Sequence, residues 1–529
     1  MNHVDILIIG AGPAGLQLGY FLEKHGASYK ILERRASAGQ FFKQFPRHRT
    51  LISINKVYTG STDPELNLRW DWNSLLNDGQ VQSLREYTTN YWPHADAMIQ
   101  YLEDFAGRFA LAIDYEKDVA EVTKAGRFSV RCQDGTTYTC DRLVIATGMF
   151  KPFIPDIEGI EHAEDYTTMS IDPKDFVGQR VLIIGKGNSA FETAENLVGT
   201  TTRIHLASPN SLKMAWRTHY VGHLRAINNS FLDTYQLKSQ NALIDAEIVS
   251  IERRDGCVAV SFRYSHAAAE VESLEYDSVL ICAGFRFDDS MFSDSCRPRL
   301  AIQDRFPEQT SVWESTNVPS LFFAGVLTHM RDYKKKQSGF IHGFRYNVEF
   351  LARHLLEQQY GHEIEYATLP LDHHAIAQRI LSRVNRSSAL FQQTGYLGDV
   401  IVVGETTGSC RYYEGVPVDH ALKKWRDKTI FTVTLEFGQE LIDAEPDVFA
   451  LDRVHKHDTE NAHRSLGIHP IIRKFSEARL VETHHVIEDF LSEWNEPEHI
   501  EPLLAYLEGS LASHRSPRLQ GAPANAAAR

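Results

Sequence analysis

Two runs of small residues have the spacing needed to hold a dinucleotide: GAGPAG at Gly10 to Gly15 and GKGNSA at Gly185 to Ala190. In each, the first glycine, Gly10 or Gly185, permits a tight strand-to-helix turn. The second, Gly12 or Gly187, lets a pyrophosphate approach the backbone, and the third small residue, Gly15 or Ala190, keeps helix and strand close. The residues that follow, Pro13 and Ala14 in one run and Asn188 and Ser189 in the other, open a helix whose free N–H groups, from Ala14 onward in the first, suit phosphate. One such run alone would be weak evidence. Two of them, entered by the apolar segments VDILIIG and RVLIIG, read as two dinucleotide sites in one chain.

The residues ending the next strand distinguish the two sites. YKILE closes on Glu33, with Arg34 beside it, about 20 residues past its fingerprint, where an acid meets free ribose hydroxyls; this suits FAD. The equivalent strand of the second unit, RIHLAS, closes on Ala207 and Ser208 without an acid, and Lys213 and Arg217 follow. That combination favours a 2′-phosphate and hence NADPH, against the simpler reading of Lys213 and Arg217 as solvated surface.

These sites sit in a chain of 529 residues, long enough for about three to four domains. A formal net charge of −14 and no long basic run argue against nucleic acid or an anionic membrane as the main partner. The first strand begins at Val4, which leaves no space for a leader, and no apolar run is long enough to span a bilayer; the expectation is a cytoplasmic enzyme. The six cysteines include no closely spaced pair, which counts against a flavin-to-dithiol relay. Cys132 and Cys140 flank a DGTTY turn, where a pair facing across the hairpin would lie on a surface ribbon, and most of the six are expected to be buried, inert thiols.

The positioning elements follow from pattern. DRLVIATG, ending in Ala146, Thr147 and Gly148, is a buried strand, and the proline-rich KPFIPDIEG that follows is a crossover. DSVLICAGF closes the second unit, and LFFAG, ending at Gly325, returns the chain to the first. The expected fold is α/β, with two Rossmann-like domains and a C-terminal α+β domain. FAD binding is assigned to 1–155 and 286–360, NADPH binding to 156–285, the mixed domain to 361–512 and a disordered tail to 513–529. In the third domain TIFTVTLEFG alternates like a half-buried strand and VIEDFLSEW has helical spacing. Its histidines, among them His455, His457, His463, His469, His484 and His485, fit no zinc signature, so no metal is expected.

The fingerprints and the ATG and FAG turns resemble the two-dinucleotide flavoproteins, which include flavin-containing and N-hydroxylating monooxygenases. FPRHRTLISINKVYTG, NLRWDWNSLL, MSIDPKDFVGQ, GNSAFETAENL and GFIHGFRYNVEF are similar more specifically to the FAD-dependent oxidoreductase domain-containing protein 2 family over at least the first 360 residues. The resemblance implies that NADPH reduces the flavin and that dioxygen is captured as a C4a-hydroperoxide. Its distal oxygen then passes to a small nitrogen- or sulfur-containing substrate, N-hydroxylation being one such outcome. It places Asn55 beside flavin and nicotinamide, where the alternative is a structural loop asparagine, and Gln40 and Phe41 at the isoalloxazine. Gly339, Phe340 and Ile341 would start the helix that faces the flavin, with His342 either lining the site or simply packed.

The monooxygenase signature FxGxxxH is absent: Ile160, His162 and Tyr166 stand at its three positions. Two other readings therefore stay open, an NADPH-driven reductase of a partner's disulfide and an FAD-binding interaction protein. Arg331 and Lys334 to Lys336 read either as attracting an anion or as a solvated loop. Tyr91, Trp92, Trp216, His219 and Tyr220 are pocket or core aromatics. Partners are a small molecule and dioxygen, and a homo-oligomer is compatible with the sequence.

Overall fold

A computed structural model describes residues 2–79, 83–404, 408–445, 447, 449 and 452–515. The chain forms two compact units, Met1–Glu363 and Ile364–Arg529.

In the first unit, one sheet is built on β1 (Asn2–Ile9), β2 (Tyr29–Leu32), β3 (Ile113–Asp114), β4 (Val119–Ala125), β5 (Arg127–Cys132) and β6 (Thr137–Ile145), in the order β3-β2-β1-β6-β5-β4. β1, β2, β3 and β6 run parallel through their contacts with β1 and β2, whereas β4, β5 and β6 form an antiparallel meander. The chain leaves this sheet through β7 (Lys151–Pro152).

A second sheet contains β8 (Glu164–Asp165), β9 (Arg180–Ile184), β10 (Arg203–Ser208), β11 (Ala242–Arg254), β12 (Cys257–Tyr264), β13 (Val271–Tyr276) and β14 (Ser278–Ile281), in the order β13-β12-β11-β10-β9-β14-β8. β15 (Phe285–Arg286) carries the chain back and pairs antiparallel with β7, so the two crossings run side by side. After the small pair β16 (Leu300–Ala301) and β17 (Phe306–Pro307), β18 (Leu321–Phe323) lies parallel to the end of β6. This is the Rossmann-like architecture expected, twice over.

Apolar β-branched runs make these central strands, and both faces of β1, β6 and β9 are buried towards their C-terminal ends. The register brings those ends together. Ile9 pairs with both Leu32 and Ile145, and Ile145 with Phe323; in the second sheet Ile184 pairs with both Ala207 and Ile281. Each glycine fingerprint thus lies where strand order reverses, between β1 and β6 or between β9 and β14. Helices α1 (Pro13–Lys24), α2 (Asn188–Leu197) and α3 (Ile341–Tyr360) start at these strand ends or close to them.

Most of the cysteines are buried, as expected, but the surface ribbon for Cys132 and Cys140 needs correction. Cys132 and Cys140 lie in the core beneath the meander, and Cys140 pairs with Phe128 across the strands. Burial raises their thiols to about 11 and about 12, because a thiolate there would lose its solvation.

The second unit is a six-stranded antiparallel sheet, ordered β19 (Ala367–Pro370), β21 (Ser409–Pro417), β20 (Leu397–Val403), β22 (Thr429–Glu436), β23 (His469–Ser476) and β24 (Arg479–His485). Helices His373–Arg386 and Pro497–Arg515 pack on it through Ile376, Ile380, Leu503 and Leu507. β22 is central and almost wholly buried, where alternation suggested a half-buried strand. Val486–Trp494 is irregular and not helical: Val486, Ile487 and Trp494 are buried, but Ser492 takes a positive φ of 58° that ends any helical run. The last helix continues to Arg515, past the expected start of a tail at 513; residues 516–529 lie outside those described.

The histidines of this unit have structural surroundings. His469 Nε2 lies 3.0 Å from His485 Nδ1, His484 stacks on Tyr506, and His457 pairs with Glu498, while His455 and His463 are exposed.

Asp399, fully buried, accepts from Arg383 Nε at 2.7 Å, Tyr412 Oη at 2.9 Å and the Gly415 amide at 3.0 Å. Removing one member of such a set leaves the others desolvated and unpaired. We expect Asp399→Ala to lower the stability of the C-terminal unit by about 3–5 kcal/mol, read as a shift of its denaturant transition.

Candidate functional site

The strand ends of the first unit open onto one cavity of about 1300 Å³, larger than the ~300–1,000 Å³ usual for a single small ligand. Both glycine loops face it. From the first come Gly12, Pro13 and Ala14, with Ala146, Thr147 and Gly148 from the end of β6 and Gly325 after β18. From the second come Gly185, Gly187, Asn188 and Ser189, with Ser208 and Lys213 beyond β10. Phe41, Gly339, Phe340, Ile341 and His342 complete the sequence-derived set on its wall.

The loops have the backbone such a site demands. Gly10 has φ +108° and a Cβ there would stand 2.7 Å from the Ala146 carbonyl oxygen; a Cβ on Gly15 would be 1.9 Å from the Gly10 oxygen. Gly185, at φ +131°, would meet the Cys282 oxygen at 2.3 Å. Gly10, Gly15 and the buried Ala190 work from behind the loop. Gly12 and Gly187 instead have open space where a side chain would be, and each is the N-cap of an uncapped helix. Free first-turn amides beside open space form a phosphate cradle.

Besides Gly10, Gly15 and Ala190, five expected residues are off the wall. Asn55 is 1 % exposed, and its Nδ2 donates to the carbonyls of Thr88 at 2.9 Å and Asn90 at 3.1 Å. It ties two loops together, and the cavity wall passes instead through Ser53 and Trp72. Gln40 turns away to Ser37. Glu33 is buried and takes one backbone amide on each oxygen, from Ala11 and Arg35, both at 2.9 Å, bracing the first loop. Arg34 is exposed with its guanidinium 4.5 Å from the Phe150 ring centre, and Arg217, in the short helix Ala215–Thr218, does not line the cavity.

Sequence reading missed several groups. His329 and Asp332, in the turn after β18, are buried with Tyr220. His329 Nδ1 lies 2.8 Å from Asp332 Oδ1, and Nε2 lies 2.9 Å from Tyr220 Oη and 3.4 Å from the Lys334 amide. A carboxylate only accepts and an amide only donates, so Nδ1 carries the proton and Nε2 accepts. The Tyr220 hydroxyl is thereby aimed at the histidine, leaving its oxygen to accept from the cavity. The only clue was an i, i+3 His-Asp pair inside a segment that reads as loop.

Lys186, in the second fingerprint, is paired with Asp245, which lies across from Ser208 on β11. An acid is thus close to this strand end but already neutralised. Lys334 also reaches the wall, while Tyr91 and Trp216 are exposed. Tyr166, at the missing signature histidine, is buried on the wall and stacks on Phe45 at 6.0 Å.

His342 is 1 % exposed, stacks on Trp72 at 4.4 Å, and neither ring nitrogen has a partner. Burial first, then Arg345 and Arg225, hold its pKa well below the ordinary range, so the ring is neutral. Cys282, the one cysteine on the wall among the described residues, is raised by burial to about 12. Away from the cavity, His3, Asp5 and Asp141 approach closely enough for a metal, but Asp141 pairs with Arg127 at 2.7 Å and Asp5 accepts from Tyr360 at 2.8 Å.

Residues 7–325 match the family described as pyridine nucleotide-disulphide oxidoreductase. FAD-dependent oxidoreductase domain-containing protein 2 of Mus musculus is 37% identical, over 96% of this chain and 84% of its own length. This chain belongs to that family. The family member described here is accordingly an FAD-dependent oxidoreductase, and its cofactors are FAD and NADPH. Among solved structures, a bacillithiol disulfide reductase from Staphylococcus aureus aligns with TM-score 0.52 at 17% identity, covering 68% of this chain and 100% of that one. A flavin-containing monooxygenase from Stenotrophomonas maltophilia aligns with TM-score 0.50 at 20% identity, covering 68% and 99%. Both share the two-dinucleotide fold; neither, at this identity, speaks for chemistry. No helix among the described residues is long and apolar enough to cross a membrane.

Glu192, on α2, faces the cavity with Asn228 Nδ2 3.5 Å away, and burial raises its carboxyl from 4.5 to about 7. A raised acid stays protonated when folded while the unfolded chain ionises, so stability falls from pH 4.5 to about 7 and the deficit is constant above. Glu192→Gln should match wild type near pH 4.5 and exceed it by about 3 kcal/mol above pH 7, measured by denaturant unfolding across that range.

Proposed function

We propose that this protein is an NADPH-dependent flavoprotein monooxygenase that oxygenates a small nitrogen- or sulfur-containing molecule, N-hydroxylation being one form of the reaction. In this reading residues 1–155 and 286–360 hold FAD at the first fingerprint, and 156–285 hold NADPH at the second. The open space at Gly12 and Gly187 and the uncapped starts of α1 and α2 fit two pyrophosphates.

The observation that carries the proposal is the single cavity shared by both glycine loops, with an aromatic wall and a solitary, unreactive thiol. Bound FAD supplies acceptance of a hydride from NADPH and activation of dioxygen. A disulfide reductase would need a thiolate relay out of the cavity, and Cys282, protonated and with Thr193 Oγ1 as its neighbour at 3.9 Å, does not offer one.

The remaining chemistry belongs to the chain. The amides of Ile341 and His342, at the uncapped start of α3, put its positive end on the cavity, where it stabilises developing negative charge. Trp72, Phe340 and His342 form an apolar floor; Phe340 and His342 stack at 5.8 Å, and this floor excludes water from the reacting atoms. The Tyr220 oxygen, oriented by His329, accepts a proton donor from the substrate and fixes its position.

After anaerobic reduction by NADPH, mixing with oxygenated buffer should give a long-lived absorbance distinct from both oxidised and reduced flavin. Prompt return to the oxidised spectrum would contradict the proposal. Gly185→Ala should retain FAD but lose at least about 100-fold in NADPH-driven flavin reduction, because the displaced loop costs of the order of 3 kcal/mol of nucleotide binding.

A further inference from the structure

Arg225 projects from the segment between α2 and β11 and carries a charge that nothing in the described protein balances. Its guanidinium lies between two indoles, 5.1 Å from the Trp72 ring centre and 5.5 Å from that of Trp92. Nη1 donates to the Ile52 carbonyl at 2.9 Å, and its backbone amide donates to Asn188 Oδ1 at 3.0 Å. No carboxylate among the described residues pairs with it, and it is partly buried on the cavity wall. Burial, the largest influence, depresses its pKa, in keeping with a cation held out of water without an anion. A guanidinium offers five N–H donors in a planar fork, and a single carbonyl uses little of it.

The other cations of the wall are differently placed. Lys186 is paired with Asp245 by the second fingerprint, Lys213 lies beyond β10, Lys334 lies over the Tyr333 ring at 5.3 Å, and Arg305 donates to Tyr333 Oη at 3.2 Å and lies over the Phe153 ring at 5.3 Å. Arg225 alone shares a contact with the floor: Trp72 lies against its guanidinium and against the His342 ring. His342 is buried, uncharged and without a partner on either nitrogen, so it brings one N–H donor and one acceptor to the same corner.

We propose that Arg225 anchors a carboxylate on the molecule that enters this cavity, with His342 as the neutral hydrogen-bonding group beside it and Trp72 and Phe340 against an apolar, aromatic-sized body. The substrate class is then a small organic acid. This assignment builds on the Proposed function by naming the class of its substrate. A phosphate of the nucleotide shares the anionic chemistry, and the Arg225 backbone is tied to Asn188 of the second glycine loop; its guanidinium, however, lies against Trp72, on the floor shared with His342, and this favours the carboxylate.

The test uses the purified holoprotein with benzoate and phenylacetate as probes and benzamide and phenylacetamide as their neutral twins. Binding is followed by tryptophan fluorescence, to which Trp72 and Trp92 report directly, and by perturbation of the flavin spectrum. The acids should bind at least about tenfold more tightly than the amides, the worth of one charged hydrogen bond. Arg225→Met should abolish that preference while amide binding and NADPH affinity stay within about twofold of wild type. Arg225→Lys should restore part of it, since a point charge lacks the fork.

The proposal is overturned if the wild type shows no preference for acids, or if Arg225→Met leaves the preference intact and weakens NADPH at least about tenfold, which would make the anion a nucleotide phosphate. Should Arg225→Met lose its flavin, the wild-type preference and its reduction in Arg225→Lys decide the matter. None of these titrations involves oxygen. Prompt flavin reoxidation with the acid preference intact would therefore remove the monooxygenase reading and leave the anchor standing.

Discussion

The structure depends on strands that end level with one another at turns where a side chain cannot be tolerated. Gly10 donates to the Leu32 carbonyl, Ala146 to that of Ile9 and Ala324 to that of Ile145, at 2.8, 2.8 and 2.9 Å. Gly185 and Cys282 repeat this in the second sheet, each at 2.8 Å. Because Gly10 packs against the Ala146 carbonyl and Gly15 against Gly10, adding one carbon at either would push β1, β6 and α1 apart. Everything that faces the cavity hangs from this convergence: helix starts, small-residue turns and the Glu33 brace.

Around that frame the cavity is a place where charge is either answered or left waiting. Asp332 answers His329 and Asp245 answers Lys186. His342 stays neutral because burial, and then two arginines, make a positive charge there too costly, and burial keeps Glu192 protonated until about pH 7. A wall with neutral acid and base groups, an aromatic floor and the Arg225 guanidinium beside it is suited to orienting a small ligand in a water-poor space.

The fold was largely legible because glycine spacing and apolar runs act locally. The strands VDILIIG, RVLIIG and LFFAG, and the helix beginning after Gly339, are where their patterns put them. The site was less so, since its polar groups meet through long-range packing. Tyr220, His329 and Asp332 join across more than a hundred residues, and only the His-Asp spacing is visible in the chain. Asn55 misled for the opposite reason: its neighbourhood in sequence resembles a flavin loop, but its amide is spent on the Thr88 and Asn90 carbonyls. Val486–Trp494 has helical spacing because Val486, Ile487 and Trp494 are buried, although they reach the core from an irregular chain.

The central claim is that electrons given by NADPH stop at the flavin, with no thiol couple to take them on. A reductive titration under argon, counting electrons against flavin bleaching, tests this without any substrate. The account predicts that one two-electron equivalent per FAD completes the reduction and that a Cys282→Ala variant titrates identically. Uptake of a second equivalent, lost in that variant, would show a redox-active thiol and contradict it.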